Sequence, residues 1–455
     1  MGAVVLACSG ESTSPGAGTP PVFLRTSAIS NPGNVLSAIL TVAVRGADSV
    51  AARFRVNGQT GDSATPPAVA HGDSATVPLL GLLPATLYSV RAIAFGGGDS
   101  ALSEPIEFRT GDPPGDLPSY TASGPDPTPG FVVFAAGVYG LVIDNTGRVV
   151  WYHRFPNGAG LNFMAQPNGK YVGHPPTPDT TDVEPWVELD PLGTVTRTLG
   201  CSGGLPSRFH DMISESDGGY WIMCDETRVM DLSAVGGSAA ARVTGTVVQH
   251  VRPNGTLAFQ WSPFDHFAVT DLDAASRSGP TVNWTHGNAI DLTPEGDLLI
   301  SFRSLSEITK IRTATGAIVW RMGGLASQFT FLDTPLPPFT RQHSLRLTKD
   351  GLLLLLDNLG TPGESRAERF QVDELAHTAR LVSSYASTPP VVTSLGGTVQ
   401  ELPGGRTLVS FGTAGRVEEF DQAGRRVWQI EGNAGYVFRA QRIGSLYRPG
   451  EDTPR

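Results

Sequence analysis

The sequence predicts an all-β protein in which a β-sandwich precedes a six-bladed β-propeller. Glycine (54 residues) and proline (36 residues) are abundant and only 17% of the residues are charged, a composition typical of many short strands joined by turns. Long segments with the 3.6-residue apolar period of a helix are hard to find, whereas alternating segments are frequent. The second part of the chain also repeats a turn-and-strand pattern roughly every 40 to 60 residues, as propellers do.

The length of 455 residues is too great for one small core and indicates two or three domains. We expect a signal remnant and tether at 1–19, a sandwich at 20–111, a linker at 112–129, a propeller at 130–447 and a tail at 448–455. The net charge of −10 argues against a nucleic-acid partner. No apolar run reaches the length of a membrane-spanning helix.

The N-terminal segment contains a candidate lipidation site. The residues that end at Cys8 read VLAC and resemble a bacterial lipobox, in which the cysteine is lipidated. This predicts a lipid-anchored or periplasmic protein of the bacterial cell envelope. A charged first region and a full apolar core are missing, so the alternative is a flexible terminus with an incidental cysteine.

The predicted sandwich consists of alternating strands at 39–45, 50–56 and 88–95, separated by Gly, Asn and Asp turns. The segment 83–88 ends in Tyr88 and resembles the tyrosine corner of a fibronectin type III domain, whose hydroxyl bonds to upstream backbone. The single histidine, His71, lies in a polar turn. We therefore expect a spacer or docking module without catalytic residues.

The predicted propeller shows a turn glycine followed by a strand that ends in tryptophan. Four copies of this pattern occur, ending at Trp151, Trp261, Trp320 and Trp428. We expect these side chains to pack between neighbouring blades and not to bind a ligand. The segment 436–443 should complete the blade that begins near Phe131 and so close the ring.

Three histidines occupy equivalent places in this repeat. His210, His286 and His343 each precede a hairpin turn, at Gly218, Gly296 and Gly351 respectively. The innermost strands of consecutive blades surround one channel, so we expect the three side chains to meet at its mouth.

Two arginines accompany these histidines. Arg303 ends the apolar segment 298–303, where a guanidinium is costly to bury without an anion and is shaped to bind a tetrahedral oxyanion. Arg341 is a second candidate for substrate binding, although it could equally face solvent.

A histidine nucleophile assisted by histidines and arginine suits sulfuryl or phosphoryl transfer. Zinc binding is the alternative, but local ligand spacing is missing and an arginine would repel the ion. Structural roles are expected for the remaining propeller histidines, His153, His174, His250, His266 and His377. Cys201 and Cys224 flank the His210 segment and could form a disulfide or remain free thiols.

Four segments carry a family resemblance: 210–211, 284–288, 301–303 and 339–343. They resemble the active-site segments of bacterial arylsulfate sulfotransferases, periplasmic six-bladed propellers with an added β-sandwich that work without phosphoadenosine phosphosulfate. The resemblance implies that His343 is the nucleophile and becomes a sulfohistidine, while His286, Arg303 and His210 bind sulfate oxygens and assist proton transfer. Asn288 matches a family asparagine, which implies a substrate-binding residue that could also orient the ring of His286.

The resulting hypothesis is an enzyme that moves a sulfuryl group from a phenolic sulfate ester to a phenol, with ping-pong kinetics and no dissociable cofactor. A non-catalytic propeller that binds a ligand or protein at the cell surface is one alternative. An aryl sulfate hydrolase that uses the same pocket, with water as acceptor, is another.

Overall fold

The computed structural model describes residues 19–176, 185–361 and 363–451. Cys8 and the rest of the N-terminal tether up to residue 18 lie outside the described residues, as does the end of the tail at 452–455. The chain divides into two compact units, Met1–Pro113 and Pro114–Arg455. Within the described ranges no helix is both long and apolar enough to cross a bilayer.

The first unit is a β-sandwich. Strands β1, β2 and β6 form one sheet, and β3, β4, β5, β7, β8 and β9 form the other. Alternate residues of these strands point inward and share one apolar core. The strands described here are β1 (Val22–Ser30), β2 (Ser37–Arg45), β3 (Ser49–Val56), β4 (Ser63–Ala64), β5 (Ala68–Val69), β6 (Ser74–Leu80), β7 (Leu87–Gly96), β8 (Asp99–Leu102) and β9 (Ile106–Arg109).

The tyrosine contact expected in this unit is present. The Tyr88 hydroxyl, at the start of β7, accepts a hydrogen bond of 2.8 Å from the backbone N–H of Leu83. The Tyr88 ring stacks on Phe108 with 5.6 Å between ring centroids. The bond joins the strand to the turn that precedes it, as in a tyrosine corner.

The second unit is also built from strands, with short 3₁₀ helices between some of them. The first half comprises β10 (Ala122–Ser123), β11 (Phe131–Ala136), β12 (Tyr139–Ile143), β13 (Val149–Arg154), β14 (Phe163–Ala165), β15 (Tyr171–Gly173), β16 (Trp186–Leu189), β17 (Val195–Leu199), β18 (Ser207–Ser214), β19 (Tyr220–Met230), β20 (Ala241–Val251), β21 (Leu257–Trp261) and β22 (Thr281–Asn283). The second half comprises β23 (Gly287–Leu292), β24 (Leu298–Phe302), β25 (Glu307–Ile311), β26 (Ile318–Gly323), β27 (Thr330–Leu332), β28 (His343–Leu347), β29 (Leu353–Asp357), β30 (Arg366–Asp373), β31 (Thr378–Ala386), β32 (Thr398–Leu402), β33 (Arg406–Ser410), β34 (Val417–Phe420), β35 (Arg426–Ile430) and β36 (Ala440–Ile443). The 3₁₀ helices span Ser202–Gly204, Ser233–Val235, Pro263–Asp265, Val269–Asp271, Pro403–Gly405 and Gly412–Ala414.

In the described part of this unit the strands form six sheets, each built on four antiparallel strands in meander order. The strands β14, β18, β23, β28, β32 and β36 each lie at an end of the antiparallel run of their own sheet. Residues from all six of these strands or their immediate neighbours line one cavity of about 60 Å³. The six strands therefore surround a common axial channel, the arrangement of a propeller-like fold.

The ring closes where the sequence predicts. Strand β36 pairs antiparallel with β11, with Phe131 opposite Ile443 and Phe134 opposite Ala440. A second contact between the start and the end of this unit differs from the prediction that residues 112–129 form a linker. Strand β10 lies within this segment and pairs with β35, with Ala122 opposite Ile430. The segment thus supplies an edge strand to the last sheet.

The tryptophans of the repeat are buried between sheets, as expected. The Trp151 ring lies 4.6 Å from the Tyr171 ring of the next sheet, and its Nε1–H donates to the Pro191 carbonyl at 2.7 Å. Trp428 makes the equivalent bond across the closure, to the Asn145 carbonyl at 2.9 Å. In these two positions the indole N–H is satisfied by a turn carbonyl, whereas the buried Nε1 atoms of Trp261 and Trp320 have no hydrogen-bond partner among the described residues.

Candidate active site

Each of the three histidines lies where the innermost strand of its sheet departs from regular pairing. His210 lies within β18, His286 directly precedes β23, and His343 begins β28. The register of these strands shifts between Ser207 and Met212, between Gly287 and Ala289, and between His343 and Arg346. Such bulges redirect side chains. Because the strands belong to three consecutive sheets around the channel, the histidines converge, as predicted.

His286 and His210 are in direct contact. Their Nε2 atoms are 3.1 Å apart, and the His286 Nδ1 atom lies 2.6 Å from the amide nitrogen of Asn283. With that amide donating to Nδ1, His286 carries its proton on Nε2 and donates it to His210. The pair therefore shares one N–H···N hydrogen bond.

Gly287 permits this close approach. A Cβ atom at this position would lie 2.6 Å from the Met223 methyl group and 2.8 Å from a Thr246 methyl group, both on the neighbouring sheet. The Gly287 N–H instead donates to the Thr246 hydroxyl at 2.8 Å. The absence of a side chain lets the two sheets meet here and holds His286 against His210.

His343 is fixed in one tautomer by Asn358. The His343 Nδ1 atom is 2.7 Å from Asn358 Oδ1, and the Asn358 amide group donates to the carbonyls of Thr393 (2.9 Å) and Gly396 (3.0 Å). Since both amide protons are engaged, Oδ1 must accept a proton from Nδ1. The lone pair of the imidazole is therefore on Nε2, which accepts a long hydrogen bond of 3.3 Å from the Gly396 N–H; a substrate sulfur that bonds to Nε2 would replace this contact.

The contact between Asn358 and the His343 ring was not predicted from the sequence. The signal was available, because Asn358 directly follows β29, the strand that pairs with β28, and Leu356 lies opposite His343. A buried asparagine just past the strand beside a candidate nucleophile is well placed to bond to its ring.

Aromatic side chains enclose the histidines. The Phe438 ring lies 5.8 Å from the His210 ring and 6.3 Å from the His343 ring, measured between centroids. Phe209 stacks on His210 at 4.1 Å. Phe438 thus bridges the His210–His286 pair and His343, so that the three imidazoles form one cluster with an apolar wall.

Arg303 brings positive charge to this cluster. Its backbone N–H donates to the His286 carbonyl at 3.0 Å and its Nη2 donates to the Ser394 carbonyl at 3.1 Å. Its Nε is buried and has no hydrogen-bond partner among the described residues. A buried guanidinium N–H without an acceptor marks a place where an anion would bind favourably.

Arg341 and Arg439 contact residues next to the histidine cluster. Arg341 donates to the Ser304 carbonyl at 3.3 Å and is 3.7 Å from Asp273. Arg439 is buried and donates to the His210 carbonyl and to Asp211, both at 3.0 Å. Arg439 therefore supports the backbone that carries His210.

The histidines are neutral at neutral pH. Burial lowers the pKa of His343 to about 4, against the opposing effect of the Asn358 hydrogen bond. Burial and the nearby Arg303 charge lower the pKa of His286 to about 3, and burial sets the pKa of His210 well below its ordinary value. Burial, together with the Arg341 charge, also lowers the pKa of Arg303. Neutral imidazoles beside guanidinium groups suit a nucleophile that attacks an anionic substrate.

The role expected for Asn288 needs correction. Its amide donates to the Gln342 carbonyl at 2.7 Å, whereas the hydrogen bond to the ring of His286 comes from Asn283. Asn288 therefore holds the peptide that precedes His343. The difference arises because the bulge at Gly287 turns the Asn288 side chain toward the next strand.

The cysteines are paired. Cys201 and Cys224 form a disulfide with 6.2 Å between their Cα atoms. The bridge links β19 to the segment that leads into β18, and so constrains the start of the strand that carries His210.

Of the remaining propeller histidines, His174 is buried and His266 is exposed, and the others are partly exposed. His250 bonds to Glu215 at 2.8 Å and stacks on Trp221. Within the described ranges no three His, Cys, Asp or Glu side chains are grouped so that they could hold a metal ion.

The arylsulfotransferase (ASST) family model matches residues 206–433, half of the 455-residue chain. The chain belongs to the arylsulfotransferase family. The matched segment contains His210, His286, Arg303, His343 and Asn358. Family membership implies a sulfotransferase that acts on small molecules.

The search of curated proteins found no match. Among solved structures, a Bacteroides caccae protein of unknown function is similar at 11% identity and a TM-score of 0.44, over 69% of this chain and 98% of its own. A streptogramin B lyase is similar at 12% identity and a TM-score of 0.38, over 74% and 87%. An inactive Staphylococcus aureus virginiamycin B lyase with quinupristin is similar at 10% identity and a TM-score of 0.37, over 68% and 87%. These values carry no argument about function.

Proposed function

We propose that this arylsulfotransferase moves a sulfuryl group from an aryl sulfate to a phenol through a covalent intermediate on His343 Nε2, without phosphoadenosine phosphosulfate or another dissociable cofactor. The observation that carries the proposal is the state of His343. Its ring is buried and neutral, Asn358 holds the proton on Nδ1, and the lone pair is on Nε2. A neutral imidazole of this tautomer is a nucleophile for a sulfur centre.

In the first half-reaction, Nε2 of His343 attacks the sulfur of the aryl sulfate. The N–S bond forms as the S–O bond to the aryl group breaks, and the electron pair leaves on the phenolate oxygen. The imidazole keeps its Nδ1–H and becomes cationic, which strengthens the hydrogen bond to Asn358. The phenolate leaves as the anion and takes its proton from solvent after release, because His286 is neutral and would become an imidazolate if it gave up its one ring proton.

In the second half-reaction, the acceptor phenol gives its proton to the His286–His210 pair and its oxygen attacks the sulfur. The N–S bond breaks, and the electron pair returns to Nε2 of His343. The short Nε2–Nε2 distance of 3.1 Å supports a role for the pair as the acceptor of this proton, which it then releases to solvent and so returns to its neutral state. Two half-reactions through one intermediate give ping-pong kinetics.

The arginines would stabilise the transferred group. In our proposal the unpartnered Nε of Arg303 binds an equatorial sulfuryl oxygen, and Arg341 contributes positive charge at the entrance. Removal of one donor of this kind from an enzyme costs about 100- to 1,000-fold in kcat. Asn288 acts as a positioning residue through the peptide of Gln342.

We also propose a finer description of the fold and the compartment. The six sheets would be the blades of a six-bladed propeller, and the first unit a fibronectin type III-like domain. The protein would reside in the bacterial envelope, outside the cytoplasm. The Cys201–Cys224 disulfide supports an oxidising compartment. Cell fractionation with thiol labelling tests this, and free thiols in a cytoplasmic fraction would contradict it.

The deciding experiment incubates the purified protein with para-nitrophenyl sulfate and phenol and follows nitrophenolate. A His343→Ala variant is compared with His71→Ala, which removes a histidine from the first unit. We expect phenol-dependent release that persists in His71→Ala and vanishes in His343→Ala, with radiolabelled sulfur retained on the native protein when phenol is omitted. Release independent of phenol would indicate a hydrolase. No release with several aryl sulfates would refute the enzyme and favour a binding propeller.

A further inference from the structure

We propose that a cavity beside the histidine cluster is the pocket for the aromatic ring of both the donor and the acceptor; this inference rests on the proposed function. The cavity has a volume of about 550 Å³ and lies between the β23–β26 sheet and the β27–β31 sheet. We call it the aryl pocket. Its walls come from segments 304–306, 323–331 and 336–341, with Asp271 and Asp273 at one edge.

The walls of the aryl pocket suit an aromatic ligand. Phe329 and Phe339 are buried and line the cavity together with Phe331. At its rim Leu325 and Leu336 are 72% and 70% exposed and are therefore free to contact a ligand that enters the cavity. Aromatic and aliphatic walls with a few polar groups are typical of small-molecule sites.

The pocket adjoins the reacting groups. Its wall residue Ser304 directly follows Arg303, and its wall residue Arg341 precedes His343 by two positions. The Arg341 side chain donates to the Ser304 carbonyl and so lies where the pocket meets the cluster. Its charge also lowers the pKa of both His286 and Arg303, as expected of a guanidinium that faces the site.

The charges and the apolar walls indicate how an aryl sulfate would bind. The sulfuryl group occupies the space between His343 Nε2 and Arg303, and the ring extends past Arg341 into the aryl pocket. There the guanidinium can attract both the sulfate oxygens and the face of the ring. The volume exceeds the needs of one phenyl ring, so bicyclic phenols and their sulfates should fit.

One pocket serves both half-reactions. The two steps are the same reaction run in opposite directions, so the incoming phenol must approach along the path by which the first phenol left. The donor ring and the acceptor ring therefore occupy the aryl pocket in turn. A consequence is that high concentrations of acceptor inhibit competitively against the donor.

The test uses charge at the rim. Leu325→Asp and Leu336→Asp place a carboxylate at the pocket, and Leu375→Asp, which is 100% exposed at the β30–β31 turn, is the matched control. The probe is 2-naphthol, which lacks a sulfuryl group, and its binding is followed by its own fluorescence. We expect each rim variant to weaken 2-naphthol binding and to raise the Michaelis constant for the nitrophenyl donor, each by about tenfold. The control variant should match the native protein in both measurements.

The outcomes distinguish this inference from the proposed function. If native protein binds 2-naphthol and the rim variants do not, but aryl sulfates are not turned over, the pocket stands and the proposed function fails. If turnover occurs while the rim variants equal the Leu375→Asp control in both measurements, the pocket is overturned. Absence of 2-naphthol binding in an active native protein also overturns it. Circular dichroism verifies that each variant is folded.

Discussion

Replacement of Asn358 by alanine tests the view that a buried amide prepares His343 for attack. Asn358 is fully buried and accepts the Nδ1–H of His343 at 2.7 Å. In the covalent intermediate the ring is cationic, and a hydrogen bond to a charged group contributes about 1.5–3 kcal/mol. Because each 1.36 kcal/mol on the barrier is a factor of ten in rate, we expect kcat to fall by about tenfold to hundredfold.

The same substitution also lowers stability, so the assay needs a matched control. Asn358→Ala leaves the carbonyls of Thr393 and Gly396 without their amide donor. Ser365 is buried in the same loop, where its hydroxyl donates to the Asn358 carbonyl at 2.8 Å and accepts from the Thr393 N–H at 2.7 Å. Ser365→Ala disturbs this loop without removing the contact to His343, so it should lower Tm but preserve kcat.

The dependence of kcat/KM on pH distinguishes a role of Asn358 in positioning His343 from a purely structural role. In Asn358→Asp a carboxylate would lie beside Nδ1, where it favours the protonated imidazole and raises the pKa of His343 above its native value of about 4. The acid limb of kcat/KM should move to higher pH in this variant alone. If Asn358→Ala keeps native kcat, or if Ser365→Ala loses as much activity as Asn358→Ala, the positioning role is refuted.

Three further predictions follow from contacts already described. For the native enzyme, kcat/KM with the nitrophenyl donor should stay level as the pH falls to about 5 and decline only below it, because burial lowers the pKa of His343 to about 4. A decline in kcat/KM that begins near pH 6.5, the ordinary pKa of histidine, would contradict this. Cys201→Ser combined with Cys224→Ser opens a loop with a sequence separation of 23 residues and should cost about 3 kcal/mol of unfolding free energy, which calorimetry can measure; unchanged unfolding would show that the bridge does not form. Tyr88→Phe removes the 2.8 Å hydrogen bond from the Leu83 N–H and should destabilise the first unit by about 1 kcal/mol, seen as a lower midpoint of urea unfolding. A midpoint equal to that of the native protein would show that this hydrogen bond does not stabilise the unit.

Much of the fold could be predicted because its signals are local. Turn glycines and strand-end tryptophans recur in the sequence, and the structure places Trp151 and Trp428 between sheets as expected. The closure of β36 on β11 also followed from the leftover strand at the end of the chain. The pairing of β10 with β35 did not, because a two-residue strand in a Pro-rich segment has no periodicity to detect.

The site could be predicted only in part for a related reason. The three histidines recur at similar places relative to the turns, so their convergence follows from the symmetry of the ring, and Arg303 could be identified as a charged residue at the end of an apolar strand. Asn283 and Asn358 bond to the rings of His286 and His343 across distances that depend on local bulges. The bulge at Gly287 directs the Asn288 side chain to the Gln342 carbonyl, so the partner of the His286 ring is Asn283 at the end of β22.

The closure of the ring determines when the site can exist. Strand β36 lies near the end of the chain and pairs with β11, near the start of the second unit, and Arg439, next to β36, bonds to the backbone of His210. During synthesis, the sheets can therefore form one by one while the histidines remain unaligned. A variant that lacks β36 and Arg439 should contain folded sheets but lose the bond that fixes the backbone of His210, and with it the sulfuryl-accepting centre.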